Sequence, residues 1–148
     1  MSVEIYVTGL DEAIEWFDRT AENLKQEVQM ALEELAQQIA DYARMIAPVR
    51  TGGYQASIYG KAVGEWEIVI GSDYRVAAII EYGSQPHFIR ARDAEALHFF
   101  LDDGTEIFAK FVRHPGTLPN PVIHNAIMYF RQHIVQVVSD AVHQAKPT

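Results

Sequence analysis

The sequence predicts an α+β fold, and three observations predict it. Apolar residues recur at steps of three and four from Ile14 to Ile46, the signature of one buried helix face. Between Tyr54 and Val112 the period changes to short alternating or continuous apolar runs punctuated by glycine, proline and aspartate, which is strand chemistry. Helical spacing then returns from Ile123 to Ala141. Strand, long amphipathic helix, an antiparallel sheet of four to five strands and a C-terminal helix packed on that sheet is the expected order, in one domain spanning residues 1–148.

Each element has its own reason. Val3, Ile5 and Val7 alternate with Ser2, Glu4 and Tyr6 over a strand from Met1 to Thr8, which Gly9 ends. Asp11 is placed to cap the helix that follows, and Glu12 and Glu15 favour its first turn through the helix dipole. The stripe Ile14, Phe17, Ala21, Leu24, Val28, Leu32, Leu35, Ile39, Tyr42 and Ile46 runs until Pro48 stops it. Unbroken, that helix would be roughly 54 Å long, more than one small globule covers. It therefore either kinks, with Asp18 to Thr20 as the break, or lays part of its stripe on another subunit. Oligomerisation is the favoured expectation.

Gly52-Gly53 form a turn, and a strand is predicted from Tyr54 to Val63. Gly64 turns into a second, from Glu65 to Gly71, with Trp66, Ile68 and Ile70 on one face. The apolar run Val76 to Tyr82 reads as a buried strand that Gly83 lets leave the sheet sharply. Residues 83–93 read as an exposed loop, and Ala96–Leu101 and Thr105–Val112 as a hairpin around Asp102-Asp103-Gly104. A proline-rich loop from His114 to Pro121 leads to the last helix, with Asn120 as its cap. The aromatic residues, among them Trp16, Phe17, Tyr42, Trp66, Phe99, Phe100 and Phe130, are expected in the core.

Composition narrows the function. The chain has 148 residues, no cysteine and a net charge of −8. The missing thiols exclude disulfides, thiolate nucleophiles and cysteine-ligated metals. Residues 1–47 hold ten acidic and three basic side chains, so most of the charge sits on the first strand and the long helix. Such a chain is a poor wrapper of nucleic acid. No secretion signal is visible and no apolar run has membrane length, and the missing cysteines suit a reducing cytoplasm. Glycine-rich phosphate loops, nucleophile elbows and paired-histidine metal helices are all missing. No catalytic, cofactor-binding or metal-ligating residue is assigned on this reading. The competing reading is a small metal-dependent enzyme, with His87 and His114 on the metal and Glu81 converging on them. Arg50, Arg90, Arg92 and Arg113 gather around the loops as solvated charge or as contacts to an acidic surface of a neighbouring subunit, such as the long helix.

Three segments carry a family resemblance: Ala47-Pro48-Val49-Arg50-Thr51-Gly52-Gly53-Tyr54-Gln55-Ala56-Ser57-Ile58 after the long helix, Val76-Ala77-Ala78-Ile79-Ile80-Glu81-Tyr82-Gly83-Ser84, and His114-Pro115-Gly116-Thr117-Leu118-Pro119-Asn120-Pro121 before the last. Their order and spacing resemble the tail-component family of long-tailed bacteriophages, the neck and tail-completion proteins, over roughly residues 10 to 140. Gly53-Tyr54, Ser84 and Val122-Ile123 depart from the residues more usual there. The resemblance implies a virion structural protein without enzymatic activity or cofactor. It would form a homo-oligomeric ring, six-fold like the tail, at the head–tail joint or the end of the tail tube. Its partners would be the tail tube protein and the head-connector proteins, with DNA passing through the lumen unread. A non-viral oligomeric binding module is the remaining alternative. Loops at about 83–95 and 113–121 are the expected inter-subunit arms, with Arg50, Arg90, Arg92, Arg113, His114, Leu118 and Pro119 as contact candidates. Pro48, Thr51, Gly52, Gly83 and Gly116 are the expected turn residues.

Overall fold

A computed structural model describes residues 2–8, 22–64 and 66–144. The described chain is α+β. Strand β1 (Val3–Val7) precedes helix α1 (Glu22–Ile46), a short helix α2 (Gly53–Ser57), and strands β2 (Ile58–Val63) and β3 (Glu67–Ser72). A second short helix, α3 (Ala77–Tyr82), leads to β4 (His87–Arg90), β5 (Leu97–Phe100), β6 (Glu106–Ala109) and β7 (Phe111–His114), and helix α4 (Val122–Gln144) closes the chain. Among the described residues no helix is long and apolar enough to cross a membrane.

Helix α1 follows the predicted stripe. Val28, Leu32, Leu35, Ile39 and Ala43 are all buried, and the helix stops at Ile46, two residues before Pro48. Residues 11–21, with Ile14, Phe17 and the expected kink at Asp18 to Thr20, lie outside the described residues. The stretch from Glu22 is roughly 38 Å long at 1.5 Å per residue. Helix α4 buries Ile123, Ala126, Ile134, Val138 and Ala141. It packs chiefly along α1, so the last helix joins the core through helix–helix contact more than through the sheet. Tyr42 of α1 stacks on Tyr129 of α4 with ring centroids 4.4 Å apart.

The strands divide where the sequence suggested one sheet. Three form an antiparallel sheet in the order β1-β3-β2. Its core face carries Val3, Ile70 and Ile58 toward α1, and its outer face carries Glu4, Tyr6 and Tyr59. On that outer face Gly71 lies between Glu4 and Tyr59, and with no side chain in the way Tyr59 donates to Glu4 at 2.6 Å. That bond and a second from Tyr6 hold the Glu4 carboxyl below its ordinary range.

Helix α1 is also bonded to the outer edge of β2. Arg44 donates to the Ile58 carbonyl, Gln37 donates to the Gly60 carbonyl at 2.7 Å, and Glu33 accepts the Ala62 N–H at 2.6 Å. Backbone groups on an edge strand otherwise invite pairing with another chain. The close approach depends on small residues: Ala36 and Ala40 face Gly60, and a Cβ on Gly60 would fall on the Ala36 carbonyl.

Two elements differ in type from the sequence expectation. The predicted strand from Tyr54 begins as helix α2, because Gly52 adopts a left-handed conformation (φ 79°) and its carbonyl accepts the Ala56 N–H. The strand proper starts at Ile58. The apolar run Val76 to Tyr82 is helix α3, not a strand. Its burial has helical spacing, with Ala77 and Glu81 inside and Tyr82 65% exposed. A seven-residue run that is apolar but for Glu81 does not by itself distinguish the two periods. Gly83 therefore ends a helix, and its φ of 74° serves that reversal.

Gly60→Val is expected to destabilise the protein by at least about 3 kcal/mol, since the clash is with backbone and no rotamer relieves it. Chemical denaturation of the two proteins, compared with Gly64→Ala in an open turn, measures it.

Candidate functional site

The centre of the structure holds one buried carboxylate. Glu81, on α3, is 1% exposed, and its Oε1 accepts the Tyr54 hydroxyl at 2.9 Å and the Ile123 N–H at 2.8 Å. Ile123 is in the first turn of α4, where backbone N–H groups have no helical partner and the helix dipole favours an anion. The carboxylate thus acts as a cap from a different element. Asn120 adds its own N–H to the Ile80 carbonyl at 2.7 Å. Burial, first, and the adjacent Glu81 charge hold the Tyr54 hydroxyl far above the usual tyrosine range. Glu81 therefore ties α2, α3 and α4 at a single point.

From this junction an arm projects. Ser84 and Thr117 exchange two backbone hydrogen bonds, 2.9 and 3.1 Å, and clasp its base. The clasp needs glycine on both strands. A Cβ on Gly83 would lie 2.5 Å from the Thr117 carbonyl, and one on Gly116 would strike the Ser84 carbonyl. Beyond the clasp β4 pairs with β7, and β5 with β6, both antiparallel. The two ladders form one interrupted hairpin: residues 91–96 on the outgoing side face only Lys110 on the return. Asp102-Asp103-Gly104 make the tip, where Asp103 accepts the Thr105 N–H at 2.9 Å.

The arm's two faces differ. One carries Ile89, Val112, Leu97 and Phe99, which with His114 line a cleft of about 290 Å³. On the other, Phe88 lies opposite Arg113 and Arg90 opposite Phe111, so aromatic and guanidinium groups alternate like a chequerboard. Phe88 and Phe111 meet edge to face at 6.2 Å across the diagonal. Phe88, Phe111, Phe100 and Phe108 are each more than 60% exposed, and Leu118 at the base is 88% exposed.

The expected loop 83–95 is in part strand β4, because its partner is the segment just before the second loop, far along the chain. Arg90, Arg113 and His114 come together on the ribbon, Arg92 sits at the interruption, and Leu118 and Pro119 lie exposed at the base. Arg50 lies apart, on the turn between α1 and α2 with Pro48 and Thr51. Phe100, expected in the core, is on the arm's surface. His87 and His114 face each other with ring centroids 5.0 Å apart, while Glu81 is buried and bonded to Tyr54 and Ile123. No group of three or more metal-ligating side chains lies together among the described residues. The sequence reading missed the structural role of Glu81 and the chequerboard. The second had a visible signal in the alternation of Phe88-Ile89-Arg90 and Phe111-Val112-Arg113.

Comparison with protein-family models, with curated proteins and with solved structures returns no match.

Tyr54→Phe is expected to cost about 1–3 kcal/mol at pH 7, since Glu81 loses a buried donor. The Tyr54 hydroxyl titrates higher in the folded than in the unfolded chain, so its contribution is full below about pH 10 and declines above it. Denaturant titrations at pH 7 and pH 10.5 test this: the gap between wild type and variant should narrow at the higher pH. Gly83→Val should cost more than Gly104→Ala at the tip, read as melting temperature.

Proposed function

We propose that this chain is a structural protein of a long-tailed bacteriophage virion, forming a homo-oligomeric ring at the head–tail joint or the end of the tail tube. The observation that carries the reading is the arm. Exposed apolar surface gathered on a projecting element marks an interaction site, and a two-stranded hairpin is at best marginally stable alone in water. An arm of this kind gains its burial from a neighbour. The three family-like segments support the same reading, because each falls at a joint: the turn into α2, the α3 helix that ends at the clasp, and the proline-rich return to α4. Within the ring the protein acts by assembly. It meets the tail tube protein on one side and the head-connector proteins on the other, while DNA passes through the lumen without being read. An acidic protomer suits that passage, since negative walls do not retain phosphates.

Electron micrographs of lysates from a phage lacking this protein test the proposal. Full heads beside unjoined tails place it at the neck, and tails of uncontrolled length make it a terminator. Normal virions would overturn the reading. Light scattering of the purified chain is expected to give a ring-sized mass, near six protomers.

A further inference from the structure

We infer that the arm's chequerboard face seats in a groove between α1 and α4 of a second copy of this chain; the inference rests on the ring reading and specifies its contact. The groove is about 420 Å³ and is lined by Glu27, Met30 and Glu34 from α1 and Val137, Asp140 and Gln144 from α4. Three carboxylates border it, and no basic side chain is among the described residues that line it. Met30 stands 59% exposed among them. Two further acidic groups of α1 are engaged within the fold: Glu33 with the Ala62 N–H and Asp41 with Arg44. Among the described residues Glu34 is bonded laterally, by Gln38 on its own helix, and Asp140 likewise by Gln136.

The arm offers the complement. Arg90 and Arg113 lie on one diagonal of the β4–β7 ribbon and Phe88 and Phe111 on the other. Guanidinium groups suit carboxylates through paired N–H donors, and aromatic rings make favourable contacts with a methionine sulfur. In the docked pair the two phenylalanines cover Met30 and Val137, while the two arginines reach Glu34 and Asp140. Arginine and aromatic residues together are the usual anchors of a protein interface. The two patches are different surfaces of the same chain, so the contact is head-to-tail. Such contacts propagate by rotation and close into rings, where a self-complementary patch would stop at a two-fold dimer.

Charge reversal tests it. Arg90→Glu with Arg113→Glu, and separately Glu34→Arg with Asp140→Arg, are each expected to convert the wild-type oligomer to monomer in sedimentation velocity, with unchanged circular dichroism. The chain carrying all four substitutions should regain the oligomer, because the charges are then exchanged across the contact. An independent measurement uses the absence of native cysteine. Met30→Cys with Phe111→Cys should give, on oxidation, a ladder of crosslinked chains, while either substitution alone gives none beyond dimer. Oligomers that persist in both reversed proteins, with no ladder, would overturn the docking and leave the ring reading standing. A wild-type chain that stays monomeric at millimolar concentration without a ladder would also overturn it, and the ring reading is then judged by the lysate micrographs. Capture of a single-stranded oligonucleotide by the wild type, lost on Arg90→Glu with Arg113→Glu while the mass is unchanged, would assign the chequerboard to nucleic acid instead.

Discussion

The buried carboxylate of Glu81 is the constraint on which the rest of the structure depends. Taking a charge out of water is costly unless strong hydrogen bonds replace the solvent. Here the replacements are a tyrosine hydroxyl and a backbone N–H at the start of a long helix, both on Oε1, while Oε2 is buried without a hydrogen-bond partner among the described residues. Each donor comes from a different element, so Oε1 keeps both of its bonds only when α2, α3 and α4 are all in place. The arm leaves the body two residues after α3 and returns five residues before α4. Both ends of the arm are therefore rooted in elements that one side chain holds together.

Body and arm are built on different terms. In the body, aliphatic side chains from α1, α4 and the core face of the sheet fill a continuous interior, and alanines and Gly60 let backbone come close to backbone. In the arm the ladder is sound but the side chains are mostly exposed, and its aromatic groups, such as His98 stacked on Phe108, find contacts mainly with one another. A protein that places its largest exposed apolar groups on its thinnest element leaves that element's stability to whatever binds it. By mass action, any partner that binds the ordered arm stabilises it.

Much of this was legible in the sequence where the pattern was long. The α1 stripe from Leu24 to Ile39 and the α4 stripe from Ile123 to Ala141 were readable because several turns repeat one period. The tip at Asp102-Asp103-Gly104 was readable because turn chemistry is local. Short runs were not. Val76 to Tyr82 contains fewer than two helical turns, and its apolar composition suits a buried strand as well; only the partner of Glu81 decides between them. The β4–β7 pairing escaped because its two strands lie more than twenty residues apart, with a second ladder between them. In the sequence Arg90 and Arg113 read as two members of a cluster of loop charges, and their shared face follows only from that register. Gly83 and Gly116 were both marked as turns, yet the reason for each is the other's backbone across the clasp.

The covering of β2 by α1 bears on what copies of this chain can build. A three-stranded sheet ordinarily has two reactive sides and can add strands from either, as a bifunctional monomer does. Here three backbone groups on one side are already bonded by Arg44, Gln37 and Glu33. Growth past β2 is closed, so edge-to-edge joining of these sheets would end at a pair and never run into a fibre. The chain is thereby protected from its own sheet at high concentration, and its valence is left to other surfaces.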